Sequence, residues 1–260
     1  MSVDVDAIRA LRDLPPEQVE EAACAAHLGV WTERRRGLAM SQVHYEWTEL
    51  AMNYRRLAVI APREHSKTES FSVNATTWRS IYQPGIYTYM FALTGDLAEE
   101  LLARTRTAIH QVKPDLVDAA IRDNSSDLML ANGSRVRAAG AGKRTRGGHP
   151  DVIIGDDVLD EENAGTATQR RKIHSWWFGS VVPMAHPGTV RRITTTGGHT
   201  RAVTMPATRI HLVGTPFHAS DLLMGMKDNP MWAYYRYQAE FTQADLVPGT
   251  LAVEVANGGT

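Results

Sequence analysis

Short apolar runs alternate with longer amphipathic stretches along the chain, and most of the runs end in polar residues. Strands that alternate with helices favour a mainly parallel sheet flanked by helices, so the pattern predicts the α/β class. An Asn132-Gly133 pair between two alternating segments, 127–131 and 135–139, predicts an additional β-hairpin. The strands expected at the centre of the sheet are 56–61, 87–93, 152–155 and 209–213.

Amphipathic segments before and between these strands predict the helices. Residues 4–13 and 16–37 are expected to form a small N-terminal helical subdomain. Further helices are expected at 67–81 and from Thr94 to about residue 112, since Thr94 is a good N-cap. The resulting division is 1–50 for a helical or lid region, 51–240 for the domain that holds the sheet and 241–260 for a linker stub.

Composition is that of an ordinary globular protein. With 260 residues, of which 43% are hydrophobic, the chain can bury one substantial core. The start of the chain lacks the pattern of a secretion signal, and no run approaches the roughly 18 apolar residues of a membrane span, so we expect a cytoplasmic protein without a membrane partner. The net charge of -1 is uninformative about nucleic acid. The local basic clusters that could contact DNA are Arg34 to Arg36, Arg55 with Arg56, Lys143 to Arg146, Arg170 to Lys172, and Arg191 with Arg192.

The segment from Ala61 to Thr68 occupies the place and length of a phosphate-binding P-loop, GxxxxGKS/T, between a strand and a helix. In such a loop Lys67 would reach the β and γ oxygens, and the Thr68 hydroxyl would ligate Mg²⁺. Both glycines are replaced, by Ala61 and Ser66, and a non-glycine residue in the left-handed region costs about 1–2 kcal/mol. From these residues alone, a capped helix start with a solvated lysine is an equal alternative.

Two acids, Asp156 and Asp157, end the predicted strand 152–155. They follow Lys67 by about ninety residues, a separation that suits a Walker B strand beside the P-loop strand. In such a site the first acid holds Mg²⁺ through water, and the second positions or deprotonates the attacking water. The alternative is that both acids only cap a following helix, whose first-turn acids would be Asp160, Glu161 and Glu162.

Together these segments resemble the large terminase family of tailed bacteriophages over roughly residues 42–240. A segment that ends a predicted strand, Val213 to His218 with Asp221-Leu222, is the most specific match, because it is similar to the family's coupling motif. The other matching segments are His44 to Trp47, Pro62-Arg63 with His65 and Lys67, Arg146-Gly147, and His149 to Asp157.

The resemblance implies a P-loop NTPase fold of the ASCE type and a motor that hydrolyses ATP, with Mg²⁺, to drive double-stranded viral DNA into a procapsid. Its implied partners are DNA, the portal protein, the small terminase subunit and further copies of the chain in a ring. The resemblance allows the chain to be a monomer when it is isolated from this assembly. It would act in the host cytoplasm and transiently at the portal vertex. The alternatives are another P-loop translocase or helicase, a metal-dependent nuclease using Asp156 and Asp157 with Asp151 and Asp160 as its further candidate acids, and a DNA-binding module without activity.

The resemblance also implies roles for single residues. Thr68 and Asp156 would hold the metal, Asp157 would be catalytic, and Thr215 would couple hydrolysis to movement. Arg63 would sense the γ-phosphate, and Arg146 would be an arginine finger offered to a neighbouring subunit. The residues expected to bind ATP are His44, Trp47, Arg63, Glu64, His65, Ser66, Lys67, Thr68 and Glu69.

Two features depart from the family. Its second acid is usually Glu, and Asp157 is one methylene shorter, so Asp157 would act through a shifted water or with help from another acid such as Glu64, Glu69 or Asp160. The family also continues into a nuclease domain that has no counterpart in this sequence. We therefore expect ATPase activity without DNA cleavage.

Overall fold

A nine-stranded mixed sheet forms the centre of the protein. The computed structural model describes residues 14–143 and 148–237, together with the backbone of 253–256. The strands of this sheet are β1 (Arg56–Ile60), β2 (Tyr87–Ala92), β3 (Arg122–Asp123), β4 (Asp127–Met129), β5 (Arg135–Gly140), β6 (Val152–Asp156), β9 (Arg209–Gly214), β10 (Ala233–Tyr237) and β11 (Val253–Ala256), and a separate hairpin is formed by β7 (Thr189–Thr194) and β8 (Thr200–Met205).

The sheet has the order β11-β10-β1-β9-β6-β2-β5-β4-β3. Its six central strands, from β10 to β5, run parallel, and antiparallel strands lie at both edges. The α/β class, the four central strands expected from the sequence and the hairpin at Asn132-Gly133 are confirmed. The expectation that β6 lies beside β1 is wrong, because β9 pairs with both and separates them. Residues 213–222, which we call the coupling segment after the family motif that their sequence resembles, therefore lie between the two halves of the expected ATP site.

Helices cover both faces of the sheet. The structure confirms the expected helix after Thr94, whose side chain accepts a hydrogen bond from the backbone of Leu97. The expected helix at 67–81 is present, although its first part, Thr68–Asn74, is a π-helix. The α-helices are α1 (Pro16–Ala26), α2 (Leu28–Arg36), α3 (Gln42–Asn53), α4 (Ala75–Tyr82), α5 (Gly95–Val112), α6 (Pro114–Asp118), α7 (Glu161–Gly165) and α8 (Ala167–Trp176).

The single helix expected at 16–37 is two helices, and His27 divides them. Its backbone is extended, and its Nδ1 accepts hydrogen bonds from the amides of Gly29 and Val30 at the start of α2. The sequence gives little indication of this helix start, since His is not among the residues that usually cap a helix. The helix expected at 4–13 lies outside the described residues.

Alternate side chains of β1 enter two separate cores. Leu57 and Val59 pack with α1, α2 and α3, whereas Ala58 and Ile60 pack on the opposite face with α8 and the tryptophans at its end. The predicted N-terminal helical region is therefore built directly on one face of the sheet. A third apolar cluster lies under α5.

Two further observations concern the ends of the sheet and the helices. Residues 253–256 were expected to belong to a linker, but they pair with β10 as an edge strand, so that prediction is wrong for these four residues. Within the described parts of the chain, every helix is too short or too polar to traverse a bilayer.

Candidate active site

The residues singled out in the P-loop-like segment and at the acidic strand end meet at the carboxyl edge of the parallel sheet. β1 leads into the loop 61–67, β6 ends at Asp156, and β9 between them leads to Thr215. The register pairs Ile60 with Gly214 and Asp156 with Val213, so the carboxyl ends of the three strands lie side by side. Ligands of open α/β sheets bind at this edge.

Lys67 is 5% exposed, and it is held inside the loop. Its Nζ lies 3.3 Å from Oδ2 of Asp157. The alternative of a solvated lysine at a capped helix start is therefore wrong. The alternative in which Asp156 and Asp157 cap the next helix is also wrong, because that helix is capped by Asp160, whose Oδ1 accepts a hydrogen bond from the amide of Asn163 at 2.6 Å. Asp156 and Asp157 thus remain available to a ligand.

Asp156 is a buried carboxylate with one unused oxygen. Its Oδ1 accepts a hydrogen bond from the Thr68 hydroxyl at 3.0 Å, and its Oδ2 has no hydrogen-bond partner among the described residues. Burial raises the pKa of Asp156 to about 6, and the charge of Asp157 adds to the effect. A buried acceptor without a partner costs free energy unless a ligand supplies one.

This pair of residues fits a magnesium ion that is bound together with a substrate. Mg²⁺ takes oxygen ligands and is usually held by one or two carboxylates plus phosphates and waters. Asp156 and Thr68 supply a carboxylate and a hydroxyl in contact with each other. Among the described residues no group of three His, Cys, Asp or Glu side chains could hold a metal without other ligands. The donor set therefore fits a metal that arrives with a phosphate.

Asp157 connects the loop to the coupling segment. Its Oδ1 accepts from the backbone amide of Thr215 at 3.0 Å, while its Oδ2 faces Lys67. Its backbone lies in the left-handed region at φ 43°. Thr215 also has a buried hydroxyl without a partner among the described residues. A side chain that touches both halves of the site can transmit a change from one to the other.

The loop adopts left-handed conformations without any glycine. Ser66, at the position of the second P-loop glycine, has φ 59°, as its place in the motif led us to expect. Glu64 has φ 66°, which no feature of the motif indicates, whereas Ala61 is not among the positive-φ residues. The strain therefore lies at 64 and 66, next to Lys67.

Around the loop, the expected ATP-binding residues divide into exposed and buried groups. Arg63 lies over the ring of Phe217, 5.5 Å from its centroid. His44 lies at the loop, with its Nε2 3.3 Å from the carbonyl oxygen of His65. Trp47 is 1% exposed and packs against Phe71, so a direct contact with a nucleotide would require it to leave the core.

The cleft beside the loop has a second wall, which the sequence analysis missed. One part, about 490 Å³, lies over the loop from Arg63 to Glu69, and an adjoining part, about 200 Å³, lies over Asp156. Both include Arg104, and the second also includes Glu100. The cleft face of α5 consists of Leu97, Glu100, Leu101 and Arg104, a spacing of three, four and seven residues that puts them on one helix face.

Glu69 is held by two arginines. Arg36 and Arg104 donate to its two carboxylate oxygens at 2.9 Å and 2.8 Å. Its expected contact with ATP would have to compete with both ion pairs. Two of the acids that were expected to assist Asp157 already have other contacts, since Asp160 caps a helix and Glu69 is paired with these arginines. Glu100 is the additional acid at the cleft, and helix periodicity was the signal that could have revealed it.

The coupling segment is folded around Asp221. Its Oδ2 accepts from the amides of Phe217 and His218, and its Oδ1 accepts from the amide of Met224. This carboxylate is 3% exposed and fixes the turn that holds Phe217 over Arg63. Arg146 lies outside the described residues.

Comparison with known proteins gives a fold and no closer relationship. No protein-family model and no curated protein matches the sequence. Among solved structures, an arginine-to-alanine variant of the ATPase domain of the large terminase from Thermus phage P74-26 is similar, with a TM-score of 0.53 and 14% identity over 81% of this chain and 76% of that chain. The same domain without the substitution has a TM-score of 0.49 and 17% identity over 71% and 68% of the two chains. The first similarity shows that the two proteins share a mixed α/β fold with a large, mostly parallel sheet.

Proposed function

We propose that this chain is the ATPase motor domain of a large terminase, which hydrolyses ATP to move double-stranded viral DNA into a procapsid. One observation carries the proposal: buried Lys67 and half-buried Thr68 follow a strand of a terminase-like sheet and contact Asp157 and Asp156 across its carboxyl edge. Lysine, hydroxyl and paired acids in this arrangement are what phosphoryl transfer from a nucleoside triphosphate requires. The resemblance of the sequence to the terminase family supports the choice of DNA packaging among the activities of P-loop proteins.

The triphosphate would lie over the loop, with backbone amides and Lys67 facing its β and γ oxygens. Asp156 and Thr68 would hold Mg²⁺, which neutralises charge on those oxygens when it is bound. Arg63 and Arg104 are the further cations beside the loop. His44, at the outer side of the loop, is in a position to support the base.

Binding the triphosphate would rearrange the contacts of Asp157. Lys67 has to turn from Asp157 to the phosphates, and this frees Oδ2 of Asp157 to orient a water. That water attacks the γ-phosphorus, the bond to the β-bridging oxygen breaks, and ADP and phosphate leave. The other oxygen, Oδ1, still holds the Thr215 amide, so a shift of the carboxylate would move the segment after β9.

Turnover measurements test the chemistry. Lys67→Ala should reduce ATP hydrolysis by a factor of about 10³ or more, because it removes the charge nearest the β and γ oxygens. Lys113→Ala removes an exposed lysine that follows α5 and does not line the cleft, and it serves as the matched control. Equal hydrolysis by both variants would refute the proposed site.

Mixing experiments test the proposed ring. Lys67→Ala and Arg146→Ala should each be inactive, and a mixture should recover part of the activity if Arg146 completes the site of a neighbouring subunit. Failure to recover activity at every mixing ratio would exclude an arginine finger acting between subunits.

Packaging assays separate the terminase from other P-loop motors. Hydrolysis by a terminase should be stimulated by procapsids that carry portal protein, with or without the small subunit, whereas a helicase should respond to DNA alone. We propose action in the host cytoplasm and transiently at the portal vertex for the same reason. Stimulation by DNA that is unaffected by procapsids would favour the helicase alternative.

The nuclease alternative loses support from the positions of its acids. Asp151 is 2% exposed and is bound by His186 and Arg191 on the amino side of β6, and Asp160 caps α7. Only Asp156 and Asp157 remain together. We expect plasmid DNA to stay intact with the protein and Mn²⁺, and cleavage that Asp156→Asn abolishes would restore this alternative.

A further inference from the structure

The distribution of charge along the sequence is strongly uneven. Residues 163–220 contain no Asp or Glu, although the whole chain has 29 acids and a net charge of -1. The positive residues of this stretch are Arg170, Arg171, Lys172, Arg191, Arg192, Arg201 and Arg209. An acid-free stretch of this length, in a chain that is acidic elsewhere, concentrates positive potential wherever it folds.

Apart from β9 and the segment after it, which belong to the sheet and the candidate site, this stretch forms a layer that runs from one face of the sheet to its amino edge. Ile173, Trp176 and Trp177 pack onto the core on the side of Ala58 and Ile60, opposite to α1, α2 and α3. The layer begins near the carboxyl edge, where the Trp176 indole donates to the carbonyl of Lys143. It ends at the amino edge with the hairpin β7–β8. We call residues 167–205 the acid-free layer.

The β7–β8 hairpin is fixed to the amino edge by packing and by an ion pair. Ile193 fills the space beside Gly85 and Gly133, where a Cβ would come within 2.4 Å and 3.3 Å of its side chain. Arg191 donates to both oxygens of buried Asp151 at 2.8 Å and 3.1 Å. The hairpin is therefore an anchored element.

The outer side of the hairpin is exposed and carries Arg192, whereas Arg201 is exposed on the other side, opposite Ile193 in the register. Val190, Arg192 and Thr194 share that side, and the register places Thr204, Ala202 and Thr200 opposite them. Val190 is 68% exposed. Within the described part of the chain, Lys172, Arg192 and Arg201 form no ion pair with an acid. On the opposite face, by comparison, Arg35 is paired with Glu20 and Glu21, and Arg36 is paired with Glu69.

We propose that the acid-free layer is the surface that contacts double-stranded DNA, with the β7–β8 hairpin against the phosphate backbone. The inference rests on the proposed function for the identity of the polymer, and on charge complementarity for the surface. Free guanidinium groups and threonine hydroxyls are phosphate-binding groups. The contacts are to the backbone, as a motor indifferent to sequence requires.

Charge reversal on this layer tests the proposal against a matched reversal elsewhere. The test variant is Arg192→Glu with Arg201→Glu, and the control is Arg34→Glu with Lys113→Glu, two exposed cations outside the layer. Affinity for a random-sequence duplex is measured by fluorescence anisotropy at several salt concentrations. We expect at least a tenfold weaker affinity for the test variant and a salt slope that is lower by about one for each phosphate it no longer neutralises. The control should bind like wild type.

Further measurements keep the result decisive. If the double Glu variant unfolds, Arg192→Gln with Arg201→Gln replaces it, because this variant removes the two positive charges without introducing an acid. The affinity for ATP should be unchanged in the Glu and the Gln variants. Equal DNA affinity in test and control variants overturns the proposal. A change of oligomeric state in light scattering with DNA affinity intact also overturns it and makes the layer an interface between copies. Failure of the proposed function would give a different result from failure of this inference. Wild type would then bind DNA through this layer without hydrolysing ATP.

Discussion

Asp156 is a residue of the candidate site whose burial lowers the stability of the folded protein at neutral pH. Its carboxylate is buried with one oxygen unpartnered, and burial raises its pKa from 3.8 to about 6. Because the folded state holds this proton more tightly than the unfolded state, the contribution of Asp156 to stability falls as the pH rises from about 4 to 6. Above that window, an ionised Asp156 costs the protein about 3 kcal/mol, at about 1.4 kcal/mol per pKa unit.

Asp156→Asn should therefore stabilise the nucleotide-free protein at neutral pH and remove the proposed ligand for Mg²⁺. We expect the free energy of unfolding to rise by up to about 3 kcal/mol above pH 6, with no advantage below pH 4. Magnesium-dependent ATP binding should be lost in the same variant. Chemical denaturation at pH 7.5 and pH 4 checks the stability, and a variant less stable than wild type at pH 7.5 would contradict the argument.

Ser66 illustrates a residue whose backbone conformation could be anticipated from its place in a motif. It stands where P-loops have glycine, and its φ of 59° agrees. Glu64, at 66°, had no such signal, because the family pattern names no glycine there. Prediction from sequence is least reliable at positions whose backbone conformation is unfavourable for their residue type, and in this loop two such positions shortly precede Lys67.

Ser66→Gly should relieve part of this strain. A non-glycine residue in the left-handed region costs about 1–2 kcal/mol, and the greater freedom of glycine in the unfolded chain offsets about 0.5–1 kcal/mol of it. We expect a melting temperature higher by about 1–4 °C, with ATP binding kept, since the loop binds through its backbone. Ser66→Ala keeps the strain and serves as control, and a glycine variant less stable than the alanine variant would refute the prediction.

At the scale of elements, the strands were predictable and their order was not. Each central strand is a short apolar run with clear ends, and the structure places all four within about two residues of the expected bounds. Placing β9 between β1 and β6 depends on long-range pairing, which no local pattern encodes. The β7–β8 hairpin was missed because its strands are threonine- and arginine-rich and mostly exposed, so they lack alternating burial signals.

Helix α5 was predicted as a helix, but its role as a wall of the cleft was not. Its face with Leu97, Glu100, Leu101 and Arg104 is recognisable only once the opposite wall is known. Arg104 is at present held by Glu69, and an arriving triphosphate would compete for its guanidinium. A helix can in this way contribute to both stability and binding.

Arg104→Ala should weaken ATP binding more than ADP binding. Losing a hydrogen bond to a charged group costs about 1.5–3 kcal/mol, equivalent to roughly a 10–100-fold loss of affinity. Arg106→Ala is the matched control, because Arg106 lies on the same helix but pairs with Asp123. Calorimetric titration with a nonhydrolysable ATP analogue and with ADP gives the comparison. Identical affinities in the two variants would make Arg104 a structural residue only.

At the scale of the whole molecule, the two edges of the sheet have different tasks. The carboxyl edge holds the candidate ATP site, and the amino edge carries the anchored β7–β8 hairpin at the end of the acid-free layer. The fold class and the proximity of Lys67 and Thr68 to the two acids after β6 followed from the sequence, because strand ends and motif spacing are local. The charged layer could not be assembled from the sequence alone, since it depends on which side of the sheet the stretch covers.

The antiparallel edge strand β11 makes a last prediction about the whole sheet. It covers β10 along four residue pairs, and β10 carries Tyr234, Tyr235 and Tyr237, so removing β11 would leave an apolar strand with unpaired backbone groups at the edge. Deleting residues 253–260 should lower the free energy of unfolding by about 1–2 kcal/mol and increase aggregation. Deleting only 257–260 leaves β11 in place and is the control. Melting curves with light scattering distinguish the two, and equal solubility and stability would mean that β11 contributes nothing to the sheet and that the tail is the linker expected from the sequence.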